Sequence, residues 1–214
     1  NINNLSGRGD LLGATLSLSE DQTYGRVNYS TPIHSSGLKL NLGITRLDYE
    51  LGEEFRSSDL TGDSTVFSVG ATYPVFRSRI ENVFVDTSID YKLLKDDASD
   101  LQVRDRKFTN LNLALRGNSR FLKGGYTSYS LGATFGNLDR SGVMSDFQSD
   151  KQTFHTDGDF AKLNMEISRF QRLSTEWSLF GSFKSQVAFN NLDSAEKFSL
   201  TGPTGVRAYA SGES

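Results

Sequence analysis

The feature that most constrains this chain is a two-residue alternation of apolar and polar side chains, kept up over long segments from one end to the other. Nine segments carry it, at about residues 10–19, 24–31, 38–49, 64–74, 80–93, 107–117, 125–136, 159–170 and 176–189. In the third, Leu38, Leu40, Leu42 and Ile44 share one face, and Lys39, Asn41, Gly43 and Thr45 the other. The fifth sets Val83, Val85, Thr87, Ile89, Tyr91 and Leu93 against Asn82, Phe84, Asp86, Ser88, Asp90 and Lys92. Successive side chains of a strand point to opposite faces, so this period predicts strands. No window holds a helical stripe for three turns, and the expected fold class is all-β, antiparallel. The segments run 8–14 residues, whereas ordinary strands cluster near ~5–6 and tilted membrane strands need ~9–11.

Alternation alone does not say which face is inside. A soluble sandwich turns its apolar face inward; a membrane barrel turns it out against lipid. Three features favour the barrel. The polar faces repeatedly carry Lys, Arg, Asp, Glu and Asn, which suits a wet lumen. Connections alternate in length: short at 32–37, 75–79, 118–124 and 171–175, long at 50–62, 95–106 and 137–158. Outer-membrane barrels show short periplasmic turns and longer outer loops in this way. Aromatic residues flank the short turns (Tyr73 and Phe76, Phe121 and Tyr126, Phe170 and Trp177), as interfacial girdles do. Only 36% of residues are apolar, lean for a large dry core but enough for one lipid-facing face per strand.

The remaining composition narrows the functions. No cysteine is present, which excludes a disulfide scaffold and thiolate metal sites. A net charge of −3 removes nucleic acid as an expected partner. No run approaches the length of a membrane-spanning helix. His34 and His155 lie far apart in sequence, and no nucleophile–base constellation, carboxylate pair or phosphate loop is visible, so neither catalysis nor a cofactor or metal is expected. The acidic stretch 146–159 lacks calcium-loop spacing and reads as a solvated outer loop. Arg8, Gly9 and Asp10 spell an adhesion tripeptide but read as turn chemistry. Lys39, Lys162, Lys184 and Arg116, on polar faces, are expected to set the electrostatics of the lumen. The chain opens in a turn and stops in a Gly-rich stretch, as though both ends were cuts through a longer protein.

The final quarter is more specific. Residues 160–171 (FAKLNMEISRFQ), Leu173, 177–180 (WSLF), Gln186, 191–193 (NLD) and 196–198 (EKF) run into 200–209 (LTGPTGVRAY). Together with 70–79 (GATYPVFRSR) and 5–10 (LSGRGD), this resembles the barrel of two-partner secretion (TpsB) transporters, the haemolysin secretion/activation type of outer-membrane pore related to BamA-like insertases. The resemblance extends in order along essentially the whole chain. It implies a 16-stranded transmembrane barrel, an even number as bacterial single-chain barrels have, of which residues 1–214 are about strands three to eleven. The periplasmic modules and the last strands would lie outside them.

The resemblance further implies that Val206, Arg207, Ala208 and Tyr209 lie on a long outer loop folded back into the lumen. Gly202, Pro203 and Gly205 would shape the bend. In the family the arginine of this motif pairs with a carboxylate on a late barrel strand, and a guanidinium fork suits that grip. Ala208 stands where the family usually has glycine, so the local loop geometry is expected to differ. The implied function is export of a large haemolysin- or adhesin-type exoprotein by a monomeric barrel in outer-membrane lipid. The competing readings are an insertase or passive porin in the same membrane, and a soluble adhesin-like β-sandwich.

Overall fold

The computed structural model describes residues 1–50, 60–99, 101–120 and 124–198. Ten strands form one antiparallel sheet in strict chain order. They are β1 (Ile2–Asn3), β2 (Leu11–Ser19), β3 (Gln22–Pro32), β4 (Lys39–Glu50), β5 (Leu60–Arg77), β6 (Glu81–Ala98), β7 (Leu101–Ser119), β8 (Gly125–Asp139), β9 (Gly158–Arg172) and β10 (Ser178–Ala188). Each of the nine expected segments is a strand, β2 to β10. The short β1 is an addition, laid against β2 where only a turn was expected.

The register makes the two faces explicit. One row crosses the sheet through Leu12, Tyr29, Leu42, Val69, Ile89, Leu111, Phe135 and Ala161. The row beside it, on the opposite face, runs through Asn28, Gly43, Ser68, Asp90, Asn110, Gly136 and Phe160. Among the described residues nothing covers the apolar row: Val69 is 54% exposed, Ile89 57% and Phe135 53%. An apolar band of this extent, on strands this long, is what a lipid-facing barrel wall presents. The sheet is therefore a partial β-barrel wall, apolar face outward and polar face to the lumen.

At the outer end of β4 the alternation changes character. Beyond Leu40, Leu42 and Ile44 the same face continues with Arg46 and Asp48, and Arg46 pairs with Asp48 at 2.6 Å and with Asp63 at 3.3 Å. Outward residues turn polar there because the strands have left the hydrocarbon.

That exit explains one correction. Residues 95–106 were expected to form a long outer loop. Instead β6 runs to Ala98 and β7 starts at Leu101, paired with each other to the tip, and Ser99 turns the corner at φ 49°. With 18 residues in β6 and ~3.3 Å per residue, the strand is ~60 Å long, or ~45 Å along the barrel axis at a ~40° tilt, against an apolar band ~25 Å tall. The excess stands above the membrane as a hairpin, where both faces are wet and apolar alternation no longer reports the strand.

The short turns are tight. In the β3–β4 turn Gly37 takes φ 89°, and a Cβ there would fall 2.9 Å from the Pro74 ring. Pro74 lacks an N–H, and the β5–β6 ladder shifts register between Pro74 and Phe76, the expected response to a missing donor. The aromatic girdle holds only in part. Tyr73 lies in the outward row with Val69, whereas Tyr126, Phe170 and Phe180 pair in one row with the parity of Ser128, Ser168 and Ser182, on the inner face. Phe121 lies outside the described residues.

A helix, α1 (Met144–Gln152), sits in the β8–β9 connection. The 3₁₀ turn Ser194–Glu196 follows β10.

Candidate functional site

The chain leaving β10 turns back onto the inner face of the sheet. Phe189 N–H still donates to the Ala161 carbonyl at 2.9 Å, the last bond of the β9–β10 ladder. Asn191 then donates to the Phe154 carbonyl at 2.8 Å. Leu192 enters a small apolar cluster with Phe108, Leu138 and Phe160, the buried core among the described residues. The Phe108 and Phe160 rings meet edge-on at 6.4 Å. Gly136 makes this possible: a Cβ there would sit 2.3 Å from the Phe160 ring and 2.4 Å from the Asn110 amide oxygen.

Two carboxylates fix the turn. Asp193 caps the 3₁₀ turn by accepting from Ala195 N–H at 2.9 Å. It also accepts from Arg106 of β7 at 2.8 Å and from Arg140, just past β8, at 3.1 Å. Glu196 accepts from Lys92 of β6 at 2.7 Å, Lys162 of β9 at 2.5 Å and Asn110 of β7 at 3.0 Å. Its carbonyl takes further bonds from Lys162 at 2.8 Å and from Gln186 of β10 at 3.1 Å. Phe198 N–H donates to the Gln186 side chain at 3.0 Å. Asp193 and Glu196 are both buried.

The arginines lead on to a second layer. Arg106 also pairs with Asp96 at 2.7 Å. Arg140 reaches Asp146 at 3.1 Å and Asp150 at 2.7 Å, both on α1, and donates to Thr156 at 2.8 Å. Of the stretch 146–159, expected to be a solvated loop, the first part lies in α1, whose Asp146 and Asp150 turn inward onto Arg140, and the last two residues begin β9. Burial pushes the Asp150 carboxyl up, but hydrogen bonds from the Thr156 hydroxyl and from the Asp157 and Thr156 amides, with Arg140, carry it below the ordinary value. Glu196 follows the same balance. Burial raises it, and Lys92 together with Lys162 outweighs that and holds the carboxyl low.

The polar-face cations take the inner positions expected of them. Lys162 meets Glu196, Lys184 lies 3.3 Å from Glu166, and Arg116 pairs with Asp86 while stacking over Phe84 at 4.9 Å. Lys39 opposes Thr72 in the ladder. His34 bonds Ser36 within its turn, and His155 follows α1 at φ 51°. Asp10, 2% exposed, is folded under its own turn by Ser6, whose hydroxyl donates to it at 2.6 Å, so Arg8, Gly9 and Asp10 do serve as a turn. The motif residues Val206, Arg207, Ala208 and Tyr209, with Gly202, Pro203 and Gly205, lie outside the described residues.

Sequence reading did not find the ion-paired turn. Asn191, Asp193 and Glu196 stood within the motifs 191–193 and 196–198, but their partners lie up to 104 residues away. No local signal joins Lys92 or Arg106 to them.

Comparison with known proteins decides the family. The profile described as "Haemolysin secretion/activation protein ShlB/FhaC/HecB" matches residues 1–214. The chain belongs to this family. A similar relative is the heme/hemopexin transporter protein HuxB of Haemophilus influenzae, 28% identical over 214 residues, covering 99% of this chain and 38% of that protein. Among solved structures, CdiB from Escherichia coli superposes with a TM-score of 0.79 at 21% identity, over 97% of this chain and 39% of that one. CdiB from Acinetobacter baumannii gives 0.73 at 17% identity, over 97% and 38%. The chain thus spans well under half the length of the relatives it matches. Its wall is that of an outer-membrane β-barrel, as in the rest of the family.

Proposed function

We propose that the protein to which this chain belongs is the outer-membrane transporter of a two-partner secretion system, passing a secreted partner polypeptide through its lumen. The family match along residues 1–214 carries this reading. The inward turn after β10 supports it, because it directs the chain that follows into the lumen, as the transporter reading requires. We take the described strands β2 to β10 as strands three to eleven of a 16-stranded barrel closed by segments beyond these residues, an even count as such barrels have. The exported partner is a large exoprotein of the haemolysin or adhesin class. Transport involves no covalent chemistry and no cofactor, and folding of the partner outside supplies the drive.

On this reading Val206, Arg207, Ala208 and Tyr209 form the inner tip of the loop that the 3₁₀ turn introduces. Arg207 grips a carboxylate of the far wall through two parallel charge-assisted bonds. Replacing Arg207 by Ala in the full-length protein should leave insertion and surface level unchanged while secretion of the partner falls. Normal secretion at normal surface level would remove the transport role of that loop. A passive porin would instead show steady, unplugged conductance in planar bilayers whatever residue stands at 207.

A further inference from the structure

The ion-paired turn has a division of labour that its partners reveal. Four cations from four places along the wall converge on two carboxylates three positions apart: Lys92 and Lys162 on Glu196, Arg106 and Arg140 on Asp193. They do not depend on those carboxylates equally. Arg106 keeps Asp96 if Asp193 is lost, and Arg140 keeps Asp146 and Asp150. Among the described residues Lys92 and Lys162 have no ion-pair partner except Glu196. Taking the charge off Glu196 therefore leaves two lysines side by side under a buried turn with no anion between them, the arrangement that makes single-partner removal so costly. Among the described residues of the turn, Leu192 is the one buried apolar side chain, and one leucine cannot offset that.

We infer that Asp193 and Glu196 are positioning residues that key the chain after β10 into the lumen, with Glu196 the dominant one. Asp193 joins the turn to an arginine cap that stands without it; Glu196 joins it to β6, β7 and β9 at once. The consequence for transport rests on the proposed function. The docking itself does not, and the two are read separately.

The test uses the full-length protein in the outer membrane with Leu192→Cys as a reporter, buried while the turn is docked. Labelling by a maleimide reagent is slow in the otherwise native background. Adding Glu196→Gln should raise the rate about tenfold or more, the change that ~1.4 kcal/mol produces. Asp193→Asn should raise it less. Glu196→Asp keeps the charge, which the flexible lysine stems can follow, and should retain protection. Lys92→Gln and Lys162→Gln attack the same key from the wall and read it if the Glu196 variant fails to insert. In planar bilayers the released variants should show larger, noisier conductance, which a merely structural role would not produce. Equal labelling in all backgrounds, or Glu196→Asp as reactive as Glu196→Gln, overturns the inference. Secretion of the partner is scored in parallel, so a docked turn in a protein that exports nothing counts against the transport reading alone.

Discussion

Glu196 is a carboxylate taken out of water and set between two lysines, and that decides its response to acid. Its value is held below the ordinary 4.5. A depressed carboxylate contributes stability in full above its unfolded value and loses it as pH falls through the folded one. Asp150 has the same sign, being held below 3.8. The groups facing this pair of sites are Lys92 from β6, Arg106 and Asn110 from β7, Arg140 beyond β8, Lys162 from β9, and the carboxylates Asp96, Asp146 and Asp193. Acidification removes only negative charge from this set. The docked turn should therefore hold above about pH 4.5 and loosen progressively below it, as pH falls through the depressed values of Glu196 and Asp150. Bilayer conductance of the full-length protein measured across that window checks this, and a flat response would mean the carboxylates do not govern docking. None of this was legible in the sequence. Glu196 looked like any acidic residue after a strand, because the two cations that define it arrive from two other strands, β6 and β9.

At the level of elements, the strands were readable and their ends were not. A strand in lipid carries an apolar residue at every second position, so β4, β6 and β9 declare themselves. Once outside the hydrocarbon, β6 and β7 lose that pattern and still pair as far as Ala98 and Leu101, held by backbone bonds to which sequence periodicity is blind. Helix α1 was missed for a related reason. Met144–Gln152 has no apolar stripe, and it is fastened by Asp146 and Asp150 to Arg140 rather than by burial of a greasy face. The face assignment makes a clear prediction on β7. Leu113 opposes Thr87 and Ala133 near the middle of the apolar band. Leu113→Arg should cost ~2–4 kcal/mol of insertion free energy, whereas Ala114→Arg, one residue on and facing the lumen, should cost under ~1 kcal/mol. Folding titrations of the full-length barrel into lipid vesicles separate the two, and equal costs would mean the faces are assigned wrongly.

For the molecule as a whole, the arrangement is a wall that is apolar outside and polar inside, with the compact buried cluster found among the described residues on the lumenal side. Phe108, Leu138, Phe160 and Leu192 make up that cluster. The full-length protein should leave membranes only with detergent and should migrate faster unheated than boiled on gels, because ladder bonds in a closed barrel resist the detergent cold. A soluble β-sandwich would need no detergent and would show one mobility. The lean apolar content follows from the same design, since only one face of each strand must be apolar.

What the sequence by itself determined was the strands β2 to β10 and the division of each into an apolar and a polar face. Those rest on residues two apart, and a one-residue slip would put every leucine in the lumen. What only the tertiary structure decided was the inside. Which cation meets Asp193 or Glu196, and that Gly136 makes room for Phe160, depend on residues separated by tens of positions. They are brought together only when the sheet curls. Alternation is a local property and survives in the sequence; a buried ion pair is a property of the closed space between strands and does not.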